Sequence, residues 1–450
     1  MSGARSRSSA APDAPRRAPQ RRSLPLRAIG YITKYDVRNK FFAATVVGMI
    51  AERPIDVLVV GSGAAGLAAA AAADRAGAYV AIATKTTLQA CNSAKAQGGI
   101  QAAVGADDDA EQHFADVMRS SHDTADPALV TALVGDALAA IAWLEELGCA
   151  FTRENGGYRI ARCGGATRKR LLQVGDRTGN AIVKALRDGL DAGRAVPLEH
   201  HALVALEPIA SGWRATFALP DGSSASVAAP SVVLAAGGRC FAEAEARGEF
   251  STNHPNATGE VTRIALEAGA QARDLDALQY HPNGGVWPPT MQGYAIPETT
   301  RAYGAVLLNA DREEFTDSLG PRDVVSQAIL DEIAQGKGVE TPDGRPAVYL
   351  DTTRIPAADA DISLPYMLRR FRGAGIDPLG EPLLTHPVLH YQNGGLVIDG
   401  DGATTLDGVY AAGEIAGGTH GRNRMMGNSL LECVVFGRRA GRAAAARARG

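Results

Sequence analysis

The chain has 450 residues with 46 Lys and Arg against 49 Asp and Glu, a formal net charge of −3. It is long enough to bury a large core and to hold two domains, and its balanced charge argues against a polyanionic partner such as nucleic acid. The five cysteines (Cys91, Cys149, Cys163, Cys240 and Cys433) contain no C-x-x-C pair, which excludes an iron–sulfur or c-type haem ligand set of the chain's own and fits a reducing compartment.

Residues 1–22 hold six Arg among Ala, Ser and Pro, and 1–48 read as a disordered basic extension. Arg21-Arg22 has the form of a twin-arginine export signal. However, Arg27, Lys34, Asp36, Arg38 and Lys40 fall where its apolar segment belongs, and the apolar run 41–51 is too short to span a bilayer. A cytoplasmic protein is expected. An alternative for this region is a natural start at Met49, which an intact mass that includes 1–48 would exclude.

Residues 55–60 are apolar and β-branched, the pattern of a buried parallel strand. Gly61-Ser62-Gly63-Ala64-Ala65-Gly66 follows as G-x-G-x-x-G, at the point where the strand gives way to an Ala-rich helix over 64–76. In that setting one glycine permits the turn, one lets a pyrophosphate approach, and one lets helix pack on strand. The helix N-terminus offers free N–H groups to the phosphates. The second strand, 79–83, ends in Thr84-Lys85. Many dinucleotide sites place an acid about 20 residues after the glycines to hold a ribose, and its absence weighs against an ordinary NAD dehydrogenase.

The stretch 91–100, containing Asn92, Ser93, Gln97, Gly98 and Gly99, reads as a polar loop on the cofactor edge of the sheet. Asp107-Asp108-Asp109 reads as a solvated loop leading into a helix, since three adjacent carboxylates cannot all face one metal ion. Asp126-Pro127 is an N-cap with an N1 proline, and opens an amphipathic helix to 147 that buries Leu129, Leu133, Leu138, Ile141 and Leu144. Asp176-Arg177-Thr178-Gly179 leads into another helix. Residues 213–229 form a hairpin about Pro220-Asp221-Gly222, and 232–238 is a buried strand ending in paired glycines. From His281-Pro282-Asn283 to about 386 the strand–helix alternation lapses, as in an inserted second domain. A strand over 408–414 ends at Glu414, and His420 to Leu431 precede an Ala/Arg-rich final helix.

With these motifs in this order, residues 54–450 resemble the flavoprotein family of succinate dehydrogenase, fumarate reductase and L-aspartate oxidase. The resemblance is carried by 61–66, Ala96-Gln97-Gly98-Gly99, 176–179, Thr258-Gly259-Glu260, His281-Pro282, Arg322-Asp323-Val324-Val325, His390-Tyr391 and 420–431. It implies an α/β architecture, a Rossmann-like FAD-binding domain (49–275 and 388–450) with an inserted α+β capping domain (276–387) and the substrate between them. It implies FAD contacts at 61–66, Thr84, Lys85, Asn92, Ser93, Gln97, Gly98, Gly99, Asp176, Glu260, Glu414, Asn428, Ser429 and Leu430. Asn92 occupies the region where membrane-complex members carry a flavin-bonding His, so non-covalent FAD is expected.

The family's substrates are small dicarboxylates, which need fixed positive charge. By position Arg424, His281 and His390 would bind substrate, Arg322 would be the proton donor, and Glu298 and Arg301 would relay protons to it. A histidine taken alone would be read as a structural group. Arginine is a reluctant acid, so Arg322 suits the role only if it is reloaded at once. Pro297 replaces a substrate-contacting Thr, Asn283 replaces a Thr, and Ala302-Tyr303 replaces Gly-Glu. Cys163 stands where L-aspartate oxidases carry a Glu for the amino group. The chain also ends soon after the final flavin helix, as a short form without the family's C-terminal helical domain. The expected reaction is a succinate–fumarate interconversion. The alternatives are L-aspartate oxidation and a non-catalytic role in electron transfer within a larger complex. A separate protein or small molecule is expected to exchange electrons, with no metal, no nucleic acid and no direct membrane insertion, although peripheral association through a partner is compatible.

Overall fold

The computed structural model describes residues 54–191 and 195–450, so the expectations for 1–48 lie outside the described residues. β1 (Val57–Val60) is buried along its whole length, as an apolar strand between two parallel neighbours must be. It turns through Gly61 into α1 (Ala64–Arg75). Gly61 has φ +115°, and a Cβ there would overlap the Ala235 carbonyl, so only glycine fits. A Cβ on Gly66 would overlap the Gly61 carbonyl; its absence lets α1 lie directly on β1. β2 (Val80–Ala83) pairs parallel to β1.

Three local expectations need correction. The polar stretch 91–100 is not all loop: it holds a helical turn, Asn92–Lys95, and Ile100–Gln101 pairs with Leu171–Leu172. Long-range bonds from Asn92 to Asn253 and from Lys95 to the Thr252 carbonyl hold that turn in place, and local composition does not encode them. Within the Asp run, the Asp108 carboxylate is buried against Arg170 at 2.7 Å, while Asp109 caps the next helix through Gln112 N at 2.8 Å. The helix expected over 126–147 is two helices, Pro127–Gly135 and Ala137–Glu146, bent by 41°. Asp136 sits in the break and accepts from Arg439 Nε at 2.8 Å. The bend turns Leu138 outwards, to 55% exposure.

Beyond α2 (Thr178–Asp191), β3 (Ala195–Leu198) pairs parallel to β2. An antiparallel meander of Ala202–Ile209, Gly212–Ala218 and Ser224–Ala229 contains the expected hairpin. β4 (Ser231–Leu234) then returns to pair parallel with β1.

The segment that breaks the alternation builds its own antiparallel sheet. Its parts are β5 (Leu278–Gly285), β6 (Val306–Leu308), α3 (Arg322–Ala334), β7 (Pro346–Asp351), α4 (Pro365–Gly373) and β8 (Leu383–Gln392), with strand order β5-β8-β7-β6. Its core includes Leu307, Val325, Leu350 and Phe371. β8 runs unbroken through 387/388, where the sequence puts a domain edge. β9 (Val409–Ala411) completes the parallel sheet in the order β9-β4-β1-β2-β3. The architecture is α/β, a parallel sheet with a mixed helix-and-strand region between β4 and β9. α5 (Asn428–Arg449) closes the chain against α1. Among the described residues no single helix is long and apolar enough to cross a membrane.

Candidate active site

A cavity of about 640 Å3 lies at the carboxyl ends of β1 and β2 and reaches the β5–β8 pair, the place where a doubly wound sheet binds ligands. Of the cofactor residues expected from sequence, Gly61, Ser62, Gly63, Ala65, Thr84, Lys85, Asn92, Ser93, Gln97, Gly98, Gly99, Asp176, Glu260, Glu414, Ser429 and Leu430 line it. Ala64, Gly66 and Asn428 do not. Ala64 N donates to Ser93 Oγ at 3.0 Å, Gly66 lies under the turn, and Asn428 Oδ1 is 3.0 Å from His113 Nε2. Asp176 reaches the wall, but its carboxylate accepts from Tyr366 N at 2.9 Å and Met367 N at 2.6 Å. It therefore holds the start of α4 against the cavity wall.

This end suits a dinucleotide. The side-chain-free turn at Gly61 and Gly63 exposes the start of α1 to a pyrophosphate. Lys85 is ion-paired to Glu260 beside it. Burial pushes the Glu414 carboxyl up to about 7 even though Gln392 N donates to it at 3.0 Å, so it holds acceptor capacity for ligand hydroxyls. The Asn92 amide is committed at both ends: Nδ2 donates to Asn253 Oδ1, and Oδ1 accepts from His254 N, each at 2.6 Å.

The other end is made of buried side chains. Arg322, at the start of α3, donates from Nε to Glu298 Oε2 at 2.7 Å and from Nη1 to Gln279 Oε1 at 3.3 Å. Glu298 Oε1 also accepts from Gly164 N at 3.2 Å. Arg301 stands behind, 3.5 Å from Glu298 Oε2, and donates to the Ser318 carbonyl. It does not line the cavity, whereas Arg322, Glu298, His281, His390 and Arg424 do. Arg424 Nη2 donates to the same Gln279 oxygen at 3.1 Å. The His281 and His390 rings meet edge to face with centroids 5.0 Å apart.

Electrostatics follows from this crowding. Burial raises the Glu298 carboxyl, but Arg322 and Arg301 outweigh it and hold the group at about 2. Burial, reinforced by Arg322, lowers Arg424 to about 10 and keeps both imidazoles well below their usual value. The histidines are thus neutral near pH 7. His281 Nδ1 accepts from Asn283 N at 3.1 Å, so its proton sits on Nε2 and is available to donate.

Sequence reasoning missed Gln279, whose single oxygen holds two guanidiniums. The signal was there, since Gln279 lies two residues before His281 on one strand and so shares its face. It also missed Thr252, whose Oγ1 is 2.6 Å from His390 Nδ1. Thr252 is 138 residues from its partner, and no local pattern marks it.

Comparison with known proteins agrees with this geometry. Residues 56–430 match a protein-family profile described as an FAD binding domain. Over 403 residues the chain is 35% identical to a component of the CoM/CoB fumarate reductase of Methanothermobacter marburgensis, spanning 87% of this chain and 72% of that one. It is 37% identical over 414 residues to the L-aspartate oxidase of Mycobacterium tuberculosis, spanning 87% and 74%. Among solved structures, a variant of the E. coli quinol fumarate reductase matches with TM-score 0.81 and 29% identity, over 88% of this chain and 71% of that one. The open form of a flavocytochrome c3 fumarate reductase matches with TM-score 0.68 and 28% identity, over 91% and 81%. FAD is the cofactor of this fold. The chain belongs to the succinate dehydrogenase and fumarate reductase family of FAD-dependent flavoproteins, which includes L-aspartate oxidase.

Proposed function

We propose that this flavoprotein interconverts a small dicarboxylate and its α,β-unsaturated partner, succinate–fumarate in type. One observation carries the reading. Arg301 and Arg322 share one buried carboxylate, Glu298, while Arg424, held by Gln279 and Ser429, faces the same cavity beside two neutral imidazoles. Three guanidiniums against one carboxylate leave these side chains with excess positive charge, which suits a carboxylate-bearing substrate.

Bound FAD supplies the redox step by exchanging a hydride with a substrate carbon. The protein residues do the rest. Arg424 grips one carboxylate through its planar fork. His281 and His390, both neutral, make the remaining polar contacts, so that charge developing next to the carboxylate meets fixed donors. In the reducing direction Arg322 gives a proton to the second carbon. Arg322 is reloaded through Glu298, 2.7 Å from its Nε, which takes up a proton arriving by way of Arg301, 3.5 Å away, and passes it on. Asn92 offers no imidazole for a flavin bond, so FAD is held non-covalently. Residues 276–387 act as the cap. Electrons pass to or from a separate protein or small molecule, and any membrane association runs through that partner.

An L-aspartate oxidase is the second reading, favoured by the mycobacterial relative. Cys163 speaks against it. Burial and the nearby Glu298 push this thiol up to about 12, and Sγ lies 3.6 Å from the Met426 carbonyl, away from the cavity wall. It presents no negative charge to an ammonium group. The deciding experiment is anaerobic: dithionite-reduced protein is mixed with fumarate or with iminoaspartate precursors. An L-aspartate oxidase can also pass electrons to fumarate, so rapid reoxidation by fumarate supports the dicarboxylate reading when L-aspartate fails to reduce the oxidised flavin. Reoxidation by the imino compound alone supports the oxidase, and no reoxidation by either leaves an electron carrier.

A further inference from the structure

The first turn of α5 meets the substrate end with two side chains, Ser429 and Glu432, three residues apart on one helix face. Ser429 Oγ accepts from Arg424 Nη1 at 3.3 Å. Glu432 is 1% exposed and does not line the cavity. Its Oε2 accepts from the Tyr391 hydroxyl at 3.0 Å and lies 2.9 Å from Nε2 of the equally buried His420. The carboxylate needs a donor at each contact, so His420 presents Nε2–H to it.

Arg424 is short of support. Among the described residues it has no carboxylate partner: its Nη atoms reach only Ser429 and Gln279, and its Nε has no hydrogen-bond partner. A buried cation in that state is costly. Its main neighbour is the Tyr391 ring, whose centroid lies 4.2 Å from the guanidinium carbon. An aromatic face offsets part of the cost, and a phenol that donates to a carboxylate has a more electron-rich ring.

We propose that Glu432, held by His420, is a positioning residue for substrate binding. It anchors the Tyr391 hydroxyl and so fixes the ring on which the Arg424 carboxylate clamp rests. The inference depends on the reading of Arg424 as that clamp. His390 and Tyr391 are adjacent on β8, at an irregularity in its pairing with β5, and both line the cavity.

The test uses FAD-loaded protein. Succinate affinity is read from the flavin absorption change on titration. Turnover is read from fumarate-dependent oxidation of reduced benzyl viologen. Tyr391→Phe removes the hydroxyl–carboxylate contact alone, and Glu432→Gln disturbs both that contact and the His420 pair, each at nearly constant volume. Each should weaken succinate binding and raise the KM for fumarate about tenfold, with kcat within about twofold and FAD content unchanged. Glu432→Asp should recover part of the loss. If Arg424→Ala weakens binding while both variants bind succinate like the parent, the positioning role falls and the clamp stands. If Arg424→Ala binds succinate normally, the clamp reading and this inference fall together. A parallel loss of kcat and FAD in both variants indicates a purely structural network and overturns the proposal. Should Glu432→Gln not fold, Tyr391→Phe decides alone, because it leaves the Glu432–His420 pair in place.

Discussion

At the scale of single residues, two buried carboxylates face opposite ways. Glu298 sits at about 2, below the ordinary 4.5, so its contribution to stability is present above pH 4.5 and is lost as pH falls towards 2. Glu414 sits at about 7. Its contribution is full below pH 4.5 and is lost as pH rises through 7. Cofactor-free parent protein should therefore lose Tm relative to Glu414→Gln between about pH 5 and pH 8; parallel Tm profiles would refute the shift. Arg322→Gln should keep FAD bound and lower turnover by about 10²- to 10⁴-fold, the usual share of a proton donor, and viologen-linked assays would show it. Acid precipitation should leave the yellow colour in the supernatant, whereas colour in the pellet would mean a covalent flavin. At this scale the sequence was most legible where a residue belongs to a motif. Arg322, Glu298, His281, His390 and Arg424 all reach the cavity wall. It was least legible for Thr252 and Glu432, whose partners are brought to them by other segments.

Among the elements, the contact between α1 and α5 controls the cofactor end. A Cβ on Gly437 would stand 2.6 Å from the Ala65 carbonyl, and one on Gly441 would overlap the Ala69 carbonyl, so the two backbones touch through small residues alone. Gly441→Leu should overpack this seam at a cost of about 1–3 kcal/mol. Because the start of α1 faces the cavity, the protein should be purified with substoichiometric FAD; full flavin content would separate the seam from the cradle. The β1–α1–β2 unit was readable because its period changes from strand to helix at glycines. The break at Asp136 was not, since the apolar spacing continues across it and the deciding contact comes from Arg439, on α5.

In the whole molecule, the parallel sheet was legible from its buried apolar runs, while the antiparallel sheet over 278–392 was not. Its strands carry Pro and Gly and lack a clean alternation, and β5 pairs with β8 across about a hundred residues, with irregularities in register. Phe371 lies at the centre of that region's core with no exposed surface. Phe371→Ala should cost about 3–5 kcal/mol and lower the Tm; an unchanged Tm would mean that this core adds little to global unfolding. The two antiparallel strands β5 and β8 carry His281 and His390, so loosening this sheet should also weaken dicarboxylate binding before FAD is lost.

The two ends of the cavity are made of different materials. The cofactor end is built around main chain at Gly61, Gly63, Gly98 and Gly99, whereas the substrate end is built around the side chains of Arg322, Glu298, His281, His390 and Arg424. Backbone groups do not change with residue identity, but side chains do. A lineage of such proteins can therefore trade one acid for another while remaining a flavoprotein throughout, and a library confined to position 297, on the cavity wall, should be one in which nearly every member is still yellow.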